Sequence, residues 1–132
     1  MKRVLLGCGI IRKDLEELLK KDHIQLDVIW LDENLHNHPE KLKEELQRQI
    51  DQIEGYDEIL LSYGLCGNAL VGITAKNCDV VYLKTDDCIS AMLCDNCKLG
   101  ALRKNSVFTS RGWLNTRNNF EEEYDRSVQK YG

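Results

Sequence analysis

Short β-rich runs alternate with amphipathic helical runs along the chain, and this alternation restricts the fold more than any other feature of the sequence. Val4-Leu5-Leu6 reads as a first strand. Residues 11–21 read as a helix, with Ile11, Leu15, Leu18 and Leu19 on one face and charges on the other. Ile24 to Leu31 is a second strand. Pro39 suits the opening of a helix capped by Asn37 or His38; that helix runs to about Glu54, turns Leu42, Leu46, Ile50 and Ile53 inward, and is stopped by Gly55. Glu58 to Tyr63 and Val80 to Leu83 are further strands, with helix-compatible residues 67–76 between them. Residues 88–103 read as helix, Ser106-Val107-Phe108-Thr109 as a fifth strand, and the polar tail from Asn118 as helix. Such a chain is α/β: an open, mostly parallel five-stranded sheet with helices on both faces, a Rossmann-like or flavodoxin-like three-layer sandwich. The order of the strands is not legible.

The 132 residues form one domain, 1–132, with no linker, no repeat and a single Pro. An apolar content of 42% with 30% charged residues excludes a disordered tail. The net charge of −4, from 18 Lys and Arg against 22 Asp and Glu, lacks the basic excess of a nucleic-acid module. No apolar run reaches the roughly 18 residues of a membrane span. The opening Met1-Lys2-Arg3-Val4-Leu5-Leu6-Gly7-Cys8-Gly9 has the outline of a signal peptide, but Gly9 and Arg12 cut it and no small-residue cleavage site follows. A cytoplasmic protein is therefore expected, with its six cysteines reduced. Six are many for such a chain, which raises metal or redox chemistry. The last helix has no strand after it, so the chain is expected to be a short or truncated member of a longer α/β class.

In open parallel sheets, ligands bind beyond the carboxyl ends of the strands. The first strand is followed by Gly7-Cys8-Gly9 and the second by Asp32-Glu33-Asn34-Leu35-His36. Gly64-Leu65-Cys66-Gly67-Asn68 follows the third, Thr85-Asp86-Asp87-Cys88 the fourth, and Ser110-Arg111-Gly112-Trp113 the fifth. Cys8, Cys66 and Cys88 are thus expected at one edge as metal ligands. A thiolate at a helix N-terminus has a lowered pKa and is the form that ligates iron or zinc. Three cysteines would hold a 4Fe-4S cluster with one iron open; the same three with His36 would suit tetrahedral zinc. The competing explanation is that each Cys packs as a small apolar side chain in a tight turn.

Other candidates carry less information. Cys94-Asp95-Asn96-Cys97 is a CxxC beside a helix rather than at its start. With Cys88 it misses the plant-type ferredoxin spacing by one residue. Cys78 precedes the fourth strand and is assigned to packing. Gly7-Cys8-Gly9-Ile10-Ile11-Arg12 begins like a dinucleotide fingerprint, with Asp32 placed for a ribose, but Arg12 replaces the third glycine. Gly9, Gly67 and Asn68 at helix N-termini, with Arg111, would suit a phosphate or carboxylate. His36 and Asp87 are candidate catalytic, proton-handling groups. His38 is read as a capping or surface residue, His23 as exposed, and Asp87 equally as an N-cap. Asp86 with Asp87 would also suit Mg²⁺. Trp113 and Tyr63 would line a pocket or the core.

The strand-end segments together resemble a known family, the domain of unknown function numbered 1638, of archaea and anaerobic bacteria. The resemblance is carried by Gly7-Cys8-Gly9-Ile10, Leu35-His36 with Pro39-Glu40-Lys41-Leu42, Tyr63-Gly64-Leu65-Cys66-Gly67-Asn68, Asp87-Cys88-Ile89 and Gly112-Trp113. It implies that Cys8, Cys66 and Cys88 belong to the family pattern, while Cys78, Cys94 and Cys97 are additions. It also implies a setting, since some members lie beside corrinoid-dependent methyltransferase systems in methylotrophic methanogens. The family often has His where Asp86 stands here, and its members are usually longer.

The function expected from these readings is metal binding, foremost a 4Fe-4S cluster on Cys8, Cys66 and Cys88. A small-molecule substrate or a redox or corrinoid protein would be the partner. Zinc chemistry with His36 and a non-enzymatic module for an anionic metabolite are the alternatives. An accessory subunit, or self-association through an exposed sheet edge, is a further expectation.

Overall fold

The structure is a computed structural model that describes residues 1–93, 99–106, 108 and 120–131. Among these residues the sheet has four strands, β1 (Arg3–Cys8), β2 (Asp27–Leu31), β3 (Glu58–Leu61) and β4 (Asp79–Tyr82), all parallel, in the order β2-β1-β3-β4. The register aligns Cys8 with Leu31 across β1 and β2, and Leu6 with Leu61 and Leu61 with Tyr82 across β1, β3 and β4. The helices are α1 (Arg12–Lys21), α2 (Pro39–Gln52), α3 (Cys88–Met92), α4 (Leu99–Asn105) and α5 (Phe120–Tyr131). Short 3₁₀ turns, Gly9–Ile11 and Glu33–Asn37, open the connections after β1 and β2. The expected fifth strand and the segments around Cys94, Cys97, Arg111 and Trp113 fall wholly or mostly outside the described residues.

Alternation along the strands explains the core. Val4, Leu6 and Cys8 of β1 and Ile59 and Leu61 of β3 are buried, as period-2 strands require, and they pack with Leu42, Leu46 and Ile50 of α2. Those three α2 residues stand four apart, so they form one stripe along the helix. Pro39 takes the first position of α2, and Gly55 beyond its end has φ +78.

The apolar face read for α1 is present, but α1 has no buried residue, and Leu18 is 53% exposed. Leu15, Leu18 and Leu19 instead border an open apolar groove with Leu5, Leu60 and Val81, which Cys88 also lines. Residues 67–76 form turns rather than a helix. Cys66, Gly67 and Asn68 all have positive φ, 47, 70 and 68, and left-handed residues cannot start a right-handed helix. Finally, β1 extends through Gly7 and Cys8. The fingerprint-like start of the following turn serves packing, because a Cβ on Gly7 would lie 2.4 Å from the Trp30 ring. Arg12 sits over the same ring, 5.7 Å from its centroid.

Candidate metal centre

β1, β3 and β4 are neighbours, so the loops leaving their carboxyl ends are neighbours too. Cys8 ends β1 and is buried, and its N–H donates to Ser62 Oγ at 3.3 Å. Cys66 lies in the loop after β3. That loop is laced to the one after β4 by Leu65 N–H to the Thr85 carbonyl and Cys66 N–H to the Asp86 carbonyl, both 2.8 Å. Cys88 is the first residue of α3 and half-buried. The three thiols are close enough to act on one another electrostatically: Cys8 and Cys66 each feel Cys88, and Cys66 also feels Cys8.

Every sulfur faces backbone N–H groups. Ile10 supplies one to Cys8, Gly64 one to Cys66, and Cys88 itself and Ile89 face the Cys88 sulfur. The left-handed φ of Cys66 costs on the order of 1 kcal/mol or more. The two cross-loop hydrogen bonds hold it there. Tyr63 stands just before this loop, 3% exposed, and among the described residues its hydroxyl has no partner in good hydrogen-bond geometry. That hydroxyl faces the Cys8 thiol, which as a neutral group is only a weak acceptor.

The expected lowering of the thiol pKa values is overturned. Burial outweighs the N–H groups and pushes Cys8 up to about 11 and Cys66 up to about 12, and it raises Cys88 as well. Glu33 near Cys8 and Asp87 near Cys66 and Cys88 add to the rise. In the metal-free fold these thiols are neutral at ordinary pH, and only a nearby positive charge would make them thiolates.

A pH dependence follows. A folded-state pKa above the unfolded one favours the protonated fold, so its contribution is fully present below about 9 and lost as pH rises through about 11 for Cys8. Metal-free protein should lose on the order of a few kcal/mol between those limits. Urea denaturation across the range should show a shallower fall when Cys8 and Cys66 are both changed to Ala. An unchanged slope would mean that the two thiols are not buried as described.

The remaining candidates are placed as follows. Asp87 caps α3, accepting from Ser90 N–H at 2.9 Å, and pairs with Arg103 Nη2 at 2.8 Å. Arg103 holds its carboxyl below the usual range, so Asp87 is ionised and a poor proton donor near neutrality. His36 lies in the turn after β2, its Nδ1 against the Glu33 carbonyl; it is on the β2 side of Cys8, away from the loops of Cys66 and Cys88. Gly9 is shadowed by the Glu33 carboxylate, 2.6 Å from where a Cβ would be, which disfavours an anion there. Gly67 and Asn68 head no helix, so the anion site expected at a helix N-terminus is absent from that loop. Cys78 packs against the core, as read from its position. Arg111, Cys94 and Cys97 lie outside the described residues. Among the described residues no group of three or more His, Cys, Asp or Glu side chains is arranged to hold a metal ion, and no helix is long and apolar enough to cross a membrane.

Two participants were not legible. Arg103 reaches Asp87 and, at 3.0 Å, Ser90 Oγ from a separate helix, and nothing in its local sequence signals that. Tyr63 was read as pocket or core, but its hydroxyl, not its ring, is what bears on the thiols.

The fold and the site together define a class: an α/β protein with a parallel sheet that gathers three cysteines at the carboxyl edge of three adjacent strands. Residues 30–132 match the family described as a protein of unknown function, DUF1638, and the chain belongs to that family. No curated protein and no solved structure matches it.

Proposed function

We propose that the chain binds a 4Fe-4S cluster through Cys8, Cys66 and Cys88, leaving one iron open to a small molecule or to electron exchange with a partner protein. One observation carries this reading: three thiols from neighbouring strand ends, each facing backbone N–H donors. Hydrogen bonds to sulfur are the means by which proteins stabilise cluster thiolates and set their potential. The acidic surroundings, Glu33 and Asp87, oppose free thiolates and an anionic metabolite but favour a cation.

When bound, such a cluster supplies one-electron chemistry and an iron with a free coordination position. Cys88 also borders the apolar groove along α1, so a small molecule has a route to that part of the edge. The link to a corrinoid protein rests on the family resemblance alone. The order β2-β1-β3-β4 matches the first four strands of a flavodoxin-like sheet, which supports the sandwich reading.

The test is iron, sulfide and zinc content of protein purified without oxygen, with its visible spectrum. About four irons and four sulfides per chain, with a broad band near roughly 400 nm, are expected. Changing Cys8, Cys66 or Cys88 singly to Ser should lower the iron content, whereas Cys78→Ser should not. Stoichiometric zinc without sulfide would transfer the site to the tetrahedral alternative. Folded protein free of any metal would return the cysteines to packing.

A further inference from the structure

We infer that the chain pairs with a second copy of itself by exchanging its C-terminal helix: the apolar stripe of α5 from each copy fills the open groove between α1 and the sheet of the other. The crossover rule shows why that groove is open. Right-handed connections on a sheet ordered β2-β1-β3-β4 put the segments after β2 and β3 on one face and the segment after β1 on the other. The first face is filled. α2 covers it, and the turns of 67–76 join it through buried Ala69 and two hydrogen bonds between Gln47 and Thr74, of 2.9 and 3.1 Å. The second face receives only α1 from these connections. Leu60, Val81 and Leu83 therefore border a groove of about 620 Å³, with Leu15 and Leu18 of α1 and Met92 of α3. Val81, Leu83 and Met92 are each close to half exposed. A contiguous apolar surface of this kind marks an interaction site.

α5 carries the matching surface. Tyr124, Val128 and Tyr131 follow the i, i+4, i+7 spacing of one helix face, with polar residues between them, and they are 67%, 46% and 78% exposed. α5 has 12 residues, and an isolated helix of that length is marginal in water, so it needs a surface to cover its stripe. Among the described residues, none of α5 lines the groove. One chain thus presents a groove without a helix and a helix without a groove. Reciprocal exchange satisfies both in both copies and closes as a two-fold pair, and swapping an identical element is a low-cost route to a dimer. The chain between Asn105, which ends α4, and Phe120, which opens α5, can extend to about 50 Å, so a partner's groove is within reach. The area is also sufficient. A covered tyrosine buries about 150–250 Å². Two tyrosines from each helix, with comparable area lost by the groove walls, bring the pair to roughly 1,000 Å², the lower range of a specific interface.

The experiment measures the mass of the full chain in solution by sedimentation equilibrium over a wide concentration range, with reductant present so that no disulfide joins two copies. A reversible dimer is expected; below its dissociation constant the groove is open again. Tyr124→Lys combined with Tyr131→Lys on the helix, and Leu18→Lys on the groove, should each weaken the dimer about tenfold or more. Val71→Lys, at a similarly exposed apolar position in the turns after β3, should leave it unchanged. Far-ultraviolet circular dichroism reads the fold of each variant. Should the double variant lose helix, Tyr131→Lys alone, at the last residue of α5, is read in its place and should still weaken the dimer. A dimer that survives the helix substitutions would overturn the inference and direct attention to the β4 edge. A monomer at every concentration would overturn it as well. If that monomer takes up an apolar dye only after the helix substitutions, the groove is filled by the chain's own α5. No metal enters the pairing, so its failure would leave the cluster proposal untouched.

Discussion

Gly64→Ala is expected to abolish cluster loading while all three cysteines remain in place. A Cβ at position 64 would lie 2.5 Å from the Thr85 carbonyl oxygen, 2.6 Å from Thr85 Oγ1 and 2.9 Å from the Asp87 nitrogen. Two of these are backbone atoms of the loop after β4, so no side-chain rotation relieves the clash. The loops after β3 and β4 must separate, and the hydrogen bonds from Leu65 and Cys66 to Thr85 and Asp86 lengthen or break. That separation carries Cys66 away from Cys88. Overpacking of this kind costs about 1–3 kcal/mol, which the sheet and α2 can absorb, so the variant should fold. Iron content after reconstitution, read beside far-ultraviolet circular dichroism, separates lost loading from lost fold. Full loading in a folded Gly64→Ala protein would mean that the close approach of the two loops is irrelevant to the site.

Leu46→Ala carries the largest expected loss of stability. Leu46 has no exposed surface and sits mid-stripe on α2 between Leu42 and Ile50, against Val4, Leu6, Ile59 and Leu61. Truncating a buried Leu removes its transfer free energy and leaves a cavity, together costing about 2–5 kcal/mol. A domain has only about 5–15 kcal/mol in total, so the variant should unfold at far lower urea concentration and be partly unfolded at physiological temperature. Leu18→Ala provides the contrast. Leu18 is 53% exposed on the open side of α1, so its truncation should cost about 1 kcal/mol or less. Comparable losses at the two positions would mean that α1 is covered as fully as α2.

The contrast between α1 and α2 also indicates what a sequence of this kind can convey. Both helices have apolar residues at helical spacing, and both were legible as helices. Periodicity states which side of a helix is apolar, not whether a neighbour covers that side; α2 is covered and α1 is not. The segment after Cys66 misled for a different reason. Its composition suits a helix, but the left-handed backbone of Cys66 is held by a hydrogen bond to Asp86 of the loop after β4, a tertiary fact without a local signature. The three cysteines were legible because parallel sheets send every strand's carboxyl end to one edge. Their protonation was not, because the dipole argument is local, while burial depends on everything packed around them. The roles of Tyr63 and Arg103 share that limit, since each depends on a partner brought close only by folding.

The placement of Cys8, Cys66 and Cys88 at and beyond the carboxyl ends of β1, β3 and β4 also bears on how the site comes into being. Between Cys8 and Cys66 the chain runs through α1, β2, α2 and β3, and between Cys66 and Cys88 it runs through β4. No fragment made during synthesis contains the whole set until Cys88 has emerged, long after Cys8. A cofactor gripping all three would act as a cross-link closing two successive lengths of chain. The entropy of such closure grows only slowly with length, so most of the benefit comes from tying the ends at all. Because the unfolded chain cannot present the three sulfurs together, the free energy of holding the cofactor would become free energy of folding. The metal-loaded chain would then resist unfolding as a unit, and stripping the metal would loosen first the edge where β3 and β4 meet.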